Sequence, residues 1–175
     1  MALLGTNRDT GFDIKKLAVI NEILEKEVMP KYKHLLDDSK VSIIDINEDQ
    51  LKKVSSDTGA QVLSSTDFYD MDMDIYAPCA LGATLNTDTI NRLKCAIVAG
   101  ADNNQLAEEA VHGKMLSEKG IIYAPDFLIN AGGLINVYSE LTGYNRERAL
   151  QQTEKIFDYT LDIHGKAATE NIPTY

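Results

Sequence analysis

Residues 95–123 read CAIVAGADNNQLAEEAVHGKMLSEKGIIY, and their order decides the fold. Cys95–Ala99 is a short apolar run that suits a buried strand. Gly100 to Gln105 form a small and polar loop. Glu108–Lys119 has helical character, with acids at its start and Lys119-Gly120 at its stop, as the helix dipole and a left-handed C-terminal residue favour. Ile121–Tyr123 is the next strand. A strand, a helix of about a dozen residues and a second strand make a βαβ unit with parallel strands.

The same alternation extends in both directions. Upstream, Val41–Ile46 is nearly all apolar and predicts a strand buried on both faces. Asn47 caps the following helix, with Gln50 in capping-box position and Leu51 and Val54 on its apolar side. Gln61–Leu63 and Asp74–Ala77 predict strands, and Thr87–Leu93 a short helix. Downstream, Pro125 opens a helix running through Asn136 towards Leu141. Asn145 precedes a last helix with an apolar stripe of Ala149, Thr153, Ile156, Phe157 and Thr160. The expected fold is α/β, a Rossmann-like doubly wound parallel sheet with ligands at the strand C-terminal ends. Residues 1–40 fit it less well. Ile14, Leu17, Leu24 and Val28 have helical spacing, yet Leu17–Ile20 also reads as a strand that the sheet needs beside Val41–Ile46.

Composition narrows the function. With 175 residues and 44% hydrophobic content, the chain has room for one domain with a core. No apolar run approaches the roughly 18 residues of a membrane span. Asn7, Arg8, Asp9 and Thr10 stand where a secretory signal needs an apolar stretch, so the expected compartment is the cytoplasm. A net charge of −10 disfavours nucleic acid, whose affinity comes from cations on phosphates. Cys79 and Cys95 form no CxxC pair and read as inert core thiols. His34, His112 and His164 are far apart and read as solvated helix-face residues. Asp70, Asp72 and Asp74 fail the calcium-loop pattern, because Ile75 and Leu81 replace the glycine and glutamate it requires, and read as a polar strand edge. No metal site is expected.

Three segments carry candidate chemistry. An acid ending a buried strand, Asp45, can accept hydrogen bonds from ribose hydroxyls; from this segment alone the plainer reading, that it ends the strand and helps cap the next helix, is favoured. The loops 77–83 (APCALGA) and 99–105 (AGADNNQ) follow separate strands. Their small residues would let a flat ligand lie against backbone, and their amides would hold its polar edge; an ordinary surface turn is the plainer alternative for either loop alone. Residues 123–137 (YAPDFLINAGGLINV) carry Asn130 and a Gly-Gly pair in a helix, which needs close approach of a ligand or another backbone to offset about 1 kcal/mol per glycine.

Together with Gly143-Tyr144-Asn145-Arg146-Glu147-Arg148, these segments resemble, in order and spacing, the C-terminal domain of the Glu/Leu/Phe/Val dehydrogenases over about 41–175, and within it the leucine type. The resemblance implies oxidative deamination of a branched-chain L-amino acid to its 2-oxo acid with NAD as cofactor. It places Asp45 on the adenosine ribose, Cys79 and Ala80 along the cofactor, and Ala99, Gly100 and Asn104 near the nicotinamide ribose. Asn130 falls on the nicotinamide or substrate side. Thr160 and Ile163 fall in the substrate side-chain pocket. Residues 1–40 would be an atypical helical segment in place of the first βα unit, and 41–175 a partial dinucleotide-binding domain.

Two departures qualify the activity. The eleven glycines lie at 5, 11, 59, 82, 100, 113, 120, 132, 133, 143 and 165, and no two are spaced G-x-G. The stretch matching the family's phosphate loop, Asn21–Lys26, has none, so backbone N–H groups there are poorly placed for a pyrophosphate. The family's catalytic lysines belong to a domain absent from this sequence, so no catalytic residue is assigned. Family membership points to the dehydrogenase. Activity of this chain alone is not expected, because positioned acid–base groups are missing. The expected partners are NAD and an amino acid, with a homo-oligomer or pairing with a catalytic domain as the assembly.

Overall fold

The computed structural model describes residues 40–63, 66–80, 82–141 and 143–175. They fall into two compact units, divided between residues 65 and 66. The expectations for residues 13–28, helix or central strand, lie outside the described residues, as does His34.

The smaller unit holds β1 (Ser42–Ile43), α1 (Glu48–Thr58) and β2 (Gln61–Val62). β1 and β2 pair in parallel, Ser42 opposite Gln61 and Ile43 opposite Val62. Asn47 caps α1 as its position predicts, its side chain accepting the Gln50 N–H at 3.1 Å. The return bond of a capping box is replaced: the Asn47 N–H goes to Asp45 Oδ1 at 2.8 Å. Gly59 ends α1 at φ 75°, a left-handed conformation that glycine adopts without strain. Leu51 is buried against this hairpin-sized unit, but Val41, Ile44 and Val54 are exposed and Ile46 is fully so. The expectation of a strand buried on both faces across 41–46 is therefore corrected. Among the described residues β1 has one neighbouring strand, β2, and its regular pairing lasts two residues.

The larger unit holds a 3-10 turn (Thr66–Asp70), β3 (Ile75–Tyr76), α2 (Thr87–Arg92), β4 (Ile97–Val98), α3 (Glu109–Glu118), β5 (Ile122–Tyr123), α4 (Asp126–Ile129), α5 (Gly132–Leu141) and α6 (Arg146–Glu170). Its strands lie in the order β3-β4-β5, every pair parallel. The fold is thus α/β with parallel sheets, of the Rossmann-like kind. Its core gathers Leu85, Ile90, Leu93, Cys95, Val98, Leu116, Ile121 and Tyr123 from strands and helices together. Burying such side chains contributes about 1.5–3 kcal/mol each, which gives this βαβ layer its cohesion. Lys119 reaches the end of α2, donating from Nζ to Ile90 O at 2.7 Å and Asn91 O at 2.9 Å, while its own backbone N–H caps α3.

Several local expectations are corrected here. The helix after Pro125 is two helices: Asn130 caps α4, and the chain restarts at Gly132 as α5. The stripe on α6 omits Phe157, which is 68% exposed. Ala149 is buried, Thr153, Ile156, Thr160 and Ile163 are among the half-buried positions, and α6 packs against α4 and α5. Asp70 and Asp72 do not edge a strand: Asp70 ends the 3-10 turn and pairs with Arg92 at 2.6 Å, while Asp72 lies 3.9 Å from Lys94. Among the described residues no group of acids, histidines or cysteines is arranged to hold a metal.

Candidate functional site

The loops that leave β3 and β4 lie side by side at the C-terminal ends of the parallel strands. Backbone and thiol bonds hold them together, among them Asp102 N–H to Pro78 O at 3.1 Å. Ala83 N–H donates to Asn104 O at 2.8 Å, Leu85 N–H to Gln105 O at 2.9 Å, and Ala107 N–H to Leu85 O at 3.0 Å. The Cys79 thiol accepts the Ala101 N–H at 3.5 Å. Leu85 and Leu106 form an isolated parallel bridge that continues the sheet past the loops.

The glycines in these loops serve this contact. A Cβ on Gly100 would lie 2.6 Å from the Pro78 carbonyl carbon and nearer still to the Pro78 oxygen. One on Gly82 would lie 2.8 Å from Asn103 O. The small residues therefore admit the neighbouring backbone, where the sequence had suggested room for a flat ligand. Gly132 likewise faces Thr153 of α6 at 3.4 Å.

Of the residues proposed from sequence, Cys79, Ala80, Ala99, Gly100, Asn104 and Asn130 come together around the β3, β4 and β5 ends. Cys79 and Ala80 are exposed, Ala99 is half-buried, and Gly100 is buried. The exposed thiol of Cys79 corrects its reading as a core cysteine, whereas Cys95 is buried as expected and its thiol is pushed up by desolvation. Asn104 holds a left-handed φ of 54° and is exposed. Asn130 donates from Nδ2 to Asp102 O at 3.4 Å and to Asn103 Oδ1, tying the end of α4 to the β4 loop. Asp45 belongs to the smaller unit, where it is exposed and makes the local bond to Asn47. Thr160 and Ile163 sit on α6, and the Thr160 hydroxyl donates back to Ile156 O at 2.7 Å.

A cleft of about 270 Å³ opens beside the β4 loop, lined by Asn104, Leu106, Glu109, Tyr123, Asp126 and Phe127, among others. Asp126 organises its floor: Oδ2 accepts the Gln105 N–H at 3.0 Å and Oδ1 accepts the Phe127 N–H at 2.7 Å. Burial and the Asp126 charge push the Tyr123 hydroxyl well above its ordinary pKa, so it stays a neutral donor. Desolvation, aided by Asp126, also raises Asp102, and its Oδ2 is buried without a hydrogen-bond partner.

Gln105 and Asp126 were missed from sequence. A glutamine after two asparagines reads as loop polarity, and an acid after proline reads as a helix start. His112 was misjudged outright. It is 4% exposed; its Nδ1 accepts the Glu108 N–H at 2.8 Å and its Nε2 lies 3.2 Å from the Thr87 hydroxyl. Its place four residues into α3, facing the unsatisfied first turn, was the available signal.

Comparisons with known proteins bear on the family and the fold. The model of the Glutamate/Leucine/Phenylalanine/Valine dehydrogenase family matches residues 8–174. Leucine dehydrogenase of Thermoactinomyces intermedius is 51% identical over 144 residues, covering 82% of this chain and 39% of that protein. L-tryptophan dehydrogenase of Nostoc punctiforme is 45% identical over 137 residues. The crystal structure of that enzyme type from Nostoc punctiforme superposes with a TM-score of 0.75 at 45% identity, covering 77% of this chain and 40% of that one. A hetero-hexameric glutamate dehydrogenase from Thermus thermophilus shares the fold, at 18% identity and a TM-score of 0.52. The chain spans about two fifths of the length of the curated relatives it matches. With a family match along almost its whole length and half of its aligned residues identical to a leucine dehydrogenase, the chain belongs to the glutamate/leucine/phenylalanine/valine dehydrogenase family.

Proposed function

We propose that this chain is the cofactor-carrying part of an NAD-dependent, leucine-type amino acid dehydrogenase of the cytoplasm. The reaction is oxidative deamination of a branched-chain L-amino acid to its 2-oxo acid. The observation that carries this reading is the pair of bonded loops after β3 and β4, with Asn130 at their shared edge. Their surface offers exposed amides at Asn103 and Asn104 beside small side chains at Ala80 and Ala99, which suits the polar rim and flat face of a nicotinamide riboside.

When bound, NAD would accept the hydride from the amino acid. Cys79 and Ala80 would pack along it, and Ala99, Gly100 and Asn104 would lie beside the nicotinamide ribose. Asn130 would face the nicotinamide or the substrate, and Asp45 would take the adenosine ribose hydroxyls. Thr160 and Ile163 would line the substrate side-chain pocket. The acid–base groups would come from a catalytic domain outside these 175 residues, and the chain would assemble as a homo-oligomer or pair with such a domain. Water exclusion by closure of that domain over the loops completes the chemistry.

A second reading has its own support: Gly82 and Gly100 face neighbouring backbone, and the sequence has no G-x-G spacing, so the chain can keep the fold without binding a dinucleotide. Calorimetric titration of the folded chain with NADH separates the two. Micromolar binding that is lost in Asp45→Ala supports the cofactor reading. No heat at millimolar NADH, with circular dichroism showing a folded chain, sinks it.

A further inference from the structure

Gln105 is fully buried, and its side chain and backbone together bond the β4 loop, the β3 loop and the start of α4. Its Nε2 donates to Gly100 O at 2.7 Å and to Asp102 O at 3.0 Å, so one amide closes the β4 loop onto itself. Its backbone carbonyl accepts the Leu85 N–H from the β3 loop at 2.9 Å. Its backbone N–H donates to Asp126 Oδ2, at the start of α4, at 3.0 Å. Asn130, at the other end of α4, grips the same Asp102 carbonyl. Burying a glutamine amide is costly unless its polar atoms are paired; Nε2 is paired twice, whereas Oε1 is buried with no partner among the described residues, so the two donor bonds are what offsets the burial.

We propose that Gln105 is the positioning residue of the cofactor face: its side-chain amide sets the shape of residues 99–104 and, through its backbone, locks that loop to the β3 loop and to α4. This rests on the cofactor reading only in its last step, because the brace itself is a property of the folded chain.

The chemistry makes the idea specific. Both side-chain acceptors are carbonyls, so position 105 must present N–H or O–H donors. Gln105→Met keeps the volume and removes both donors. Gln105→Glu, when ionised, turns acceptor lone pairs toward the Gly100 and Asp102 carbonyls; when protonated it regains one donor. Its folded-state pKa is thereby raised above the ordinary value of about 4.3, so its contribution is present at low pH and lost as pH rises through the folded pKa. Asp102 and Asp126 face the same loop and titrate in the wild type too, which makes the wild-type profile the baseline.

The test is amide exchange followed by NMR, expressed as protection factors. In the wild type the Gln105 Nε2 protons should be protected, unlike those of exposed Gln61; equal, fast exchange of the two would overturn the brace without any variant being made. In Gln105→Met the amides of Ala83, Leu85, Asp102 and Ala107 should lose about tenfold in protection while those of α6 hold. A uniform loss across all elements, or none, would reduce Gln105 to a space filler. In Gln105→Glu the loop protection should come nearest to wild type below about pH 4.3, where the side chain is protonated in both states, and fall as pH rises toward 8; a flat difference from wild type would overturn the donor requirement. NADH titration adds the functional arm. A wild type that binds no NADH sinks the cofactor reading and leaves the exchange result standing. A Gln105→Met chain that loses loop protection yet binds NADH as well as wild type would overturn the positioning role. A roughly tenfold weaker Kd would support it.

Discussion

Gly100, just past β4, is pressed against the backbone of Pro78, just past β3, with no room for a single added carbon between them. The two parallel strands and their loops meet at this point. Gly100→Ala must push the loops apart or distort one of them. We expect a loss of about 1–3 kcal/mol, as for other overpacked sites, read as a lower urea midpoint at unchanged m-value. An unchanged midpoint would mean that the loops part freely and that the contact carries no strain.

His112 acts as a buried cap for α3. Because Nδ1 accepts the Glu108 N–H, the ring proton resides on Nε2 and points to the Thr87 hydroxyl. Long-range nitrogen–proton correlation spectra should show the Nε2–H tautomer. His112→Leu removes a partner from a helix N–H and a hydroxyl of two exposed residues, and should cost about 0.5–1.5 kcal/mol for each bond lost. Observation of the Nδ1–H tautomer would refute the cap.

The two thiols should differ in access. Cys79 is exposed, and Cys95 is buried with its thiol held protonated by desolvation. A thiol reagent should therefore titrate one cysteine in the native chain and the second only with unfolding. Cys79→Ser should abolish the fast phase. Rapid reaction of both would contradict the burial of Cys95 in the core.

The Asp70–Arg92 pair is a surface device with a defined pH dependence. Hydrogen bonding from Arg92 lowers the Asp70 pKa below its ordinary value of 3.8. The pair's contribution is thus present above that value and lost as pH falls through the lowered pKa. Asp70→Asn should remove this part of the acid dependence and leave stability at pH 7 little changed, as surface pairs usually do. Salt should blunt the wild-type dependence in the same range. A variant as acid-sensitive as wild type would show that other carboxylates control it.

How much of this was legible beforehand follows from the range of each interaction. Asn47, Asn145 and Gly120 announced helix ends because caps are satisfied within a few residues: Asn145 accepts the Arg148 N–H at 2.9 Å, and Gly120 takes a left-handed φ of 71°. The β3, β4 and β5 strands announced themselves as apolar runs between helices. The break at Asn130 did not, because the pull comes from Asp102 and Asn103, some 27 residues earlier. Phe157 looked like core because periodicity marks a helix face without saying how wide the covered strip is, and Asp70 looked like a strand edge because Arg92, its partner, is 22 residues away.

The sequence by itself determined the βαβ order, the parallel pairing and the family, since these follow from residue periodicity, local capping and a long run of matching motif residues. The tertiary structure alone decided what the small and polar positions do. Gly100 is small because Pro78 from another loop lies against it, His112 is buried with its Nε2 beside the Thr87 hydroxyl of the neighbouring helix, and Asn130 ends α4 where its amide bonds Asp102 and Asn103 of the β4 loop. Each of those reasons is a contact between residues distant in the chain, and such contacts exist only once the sheet has brought its strand ends together.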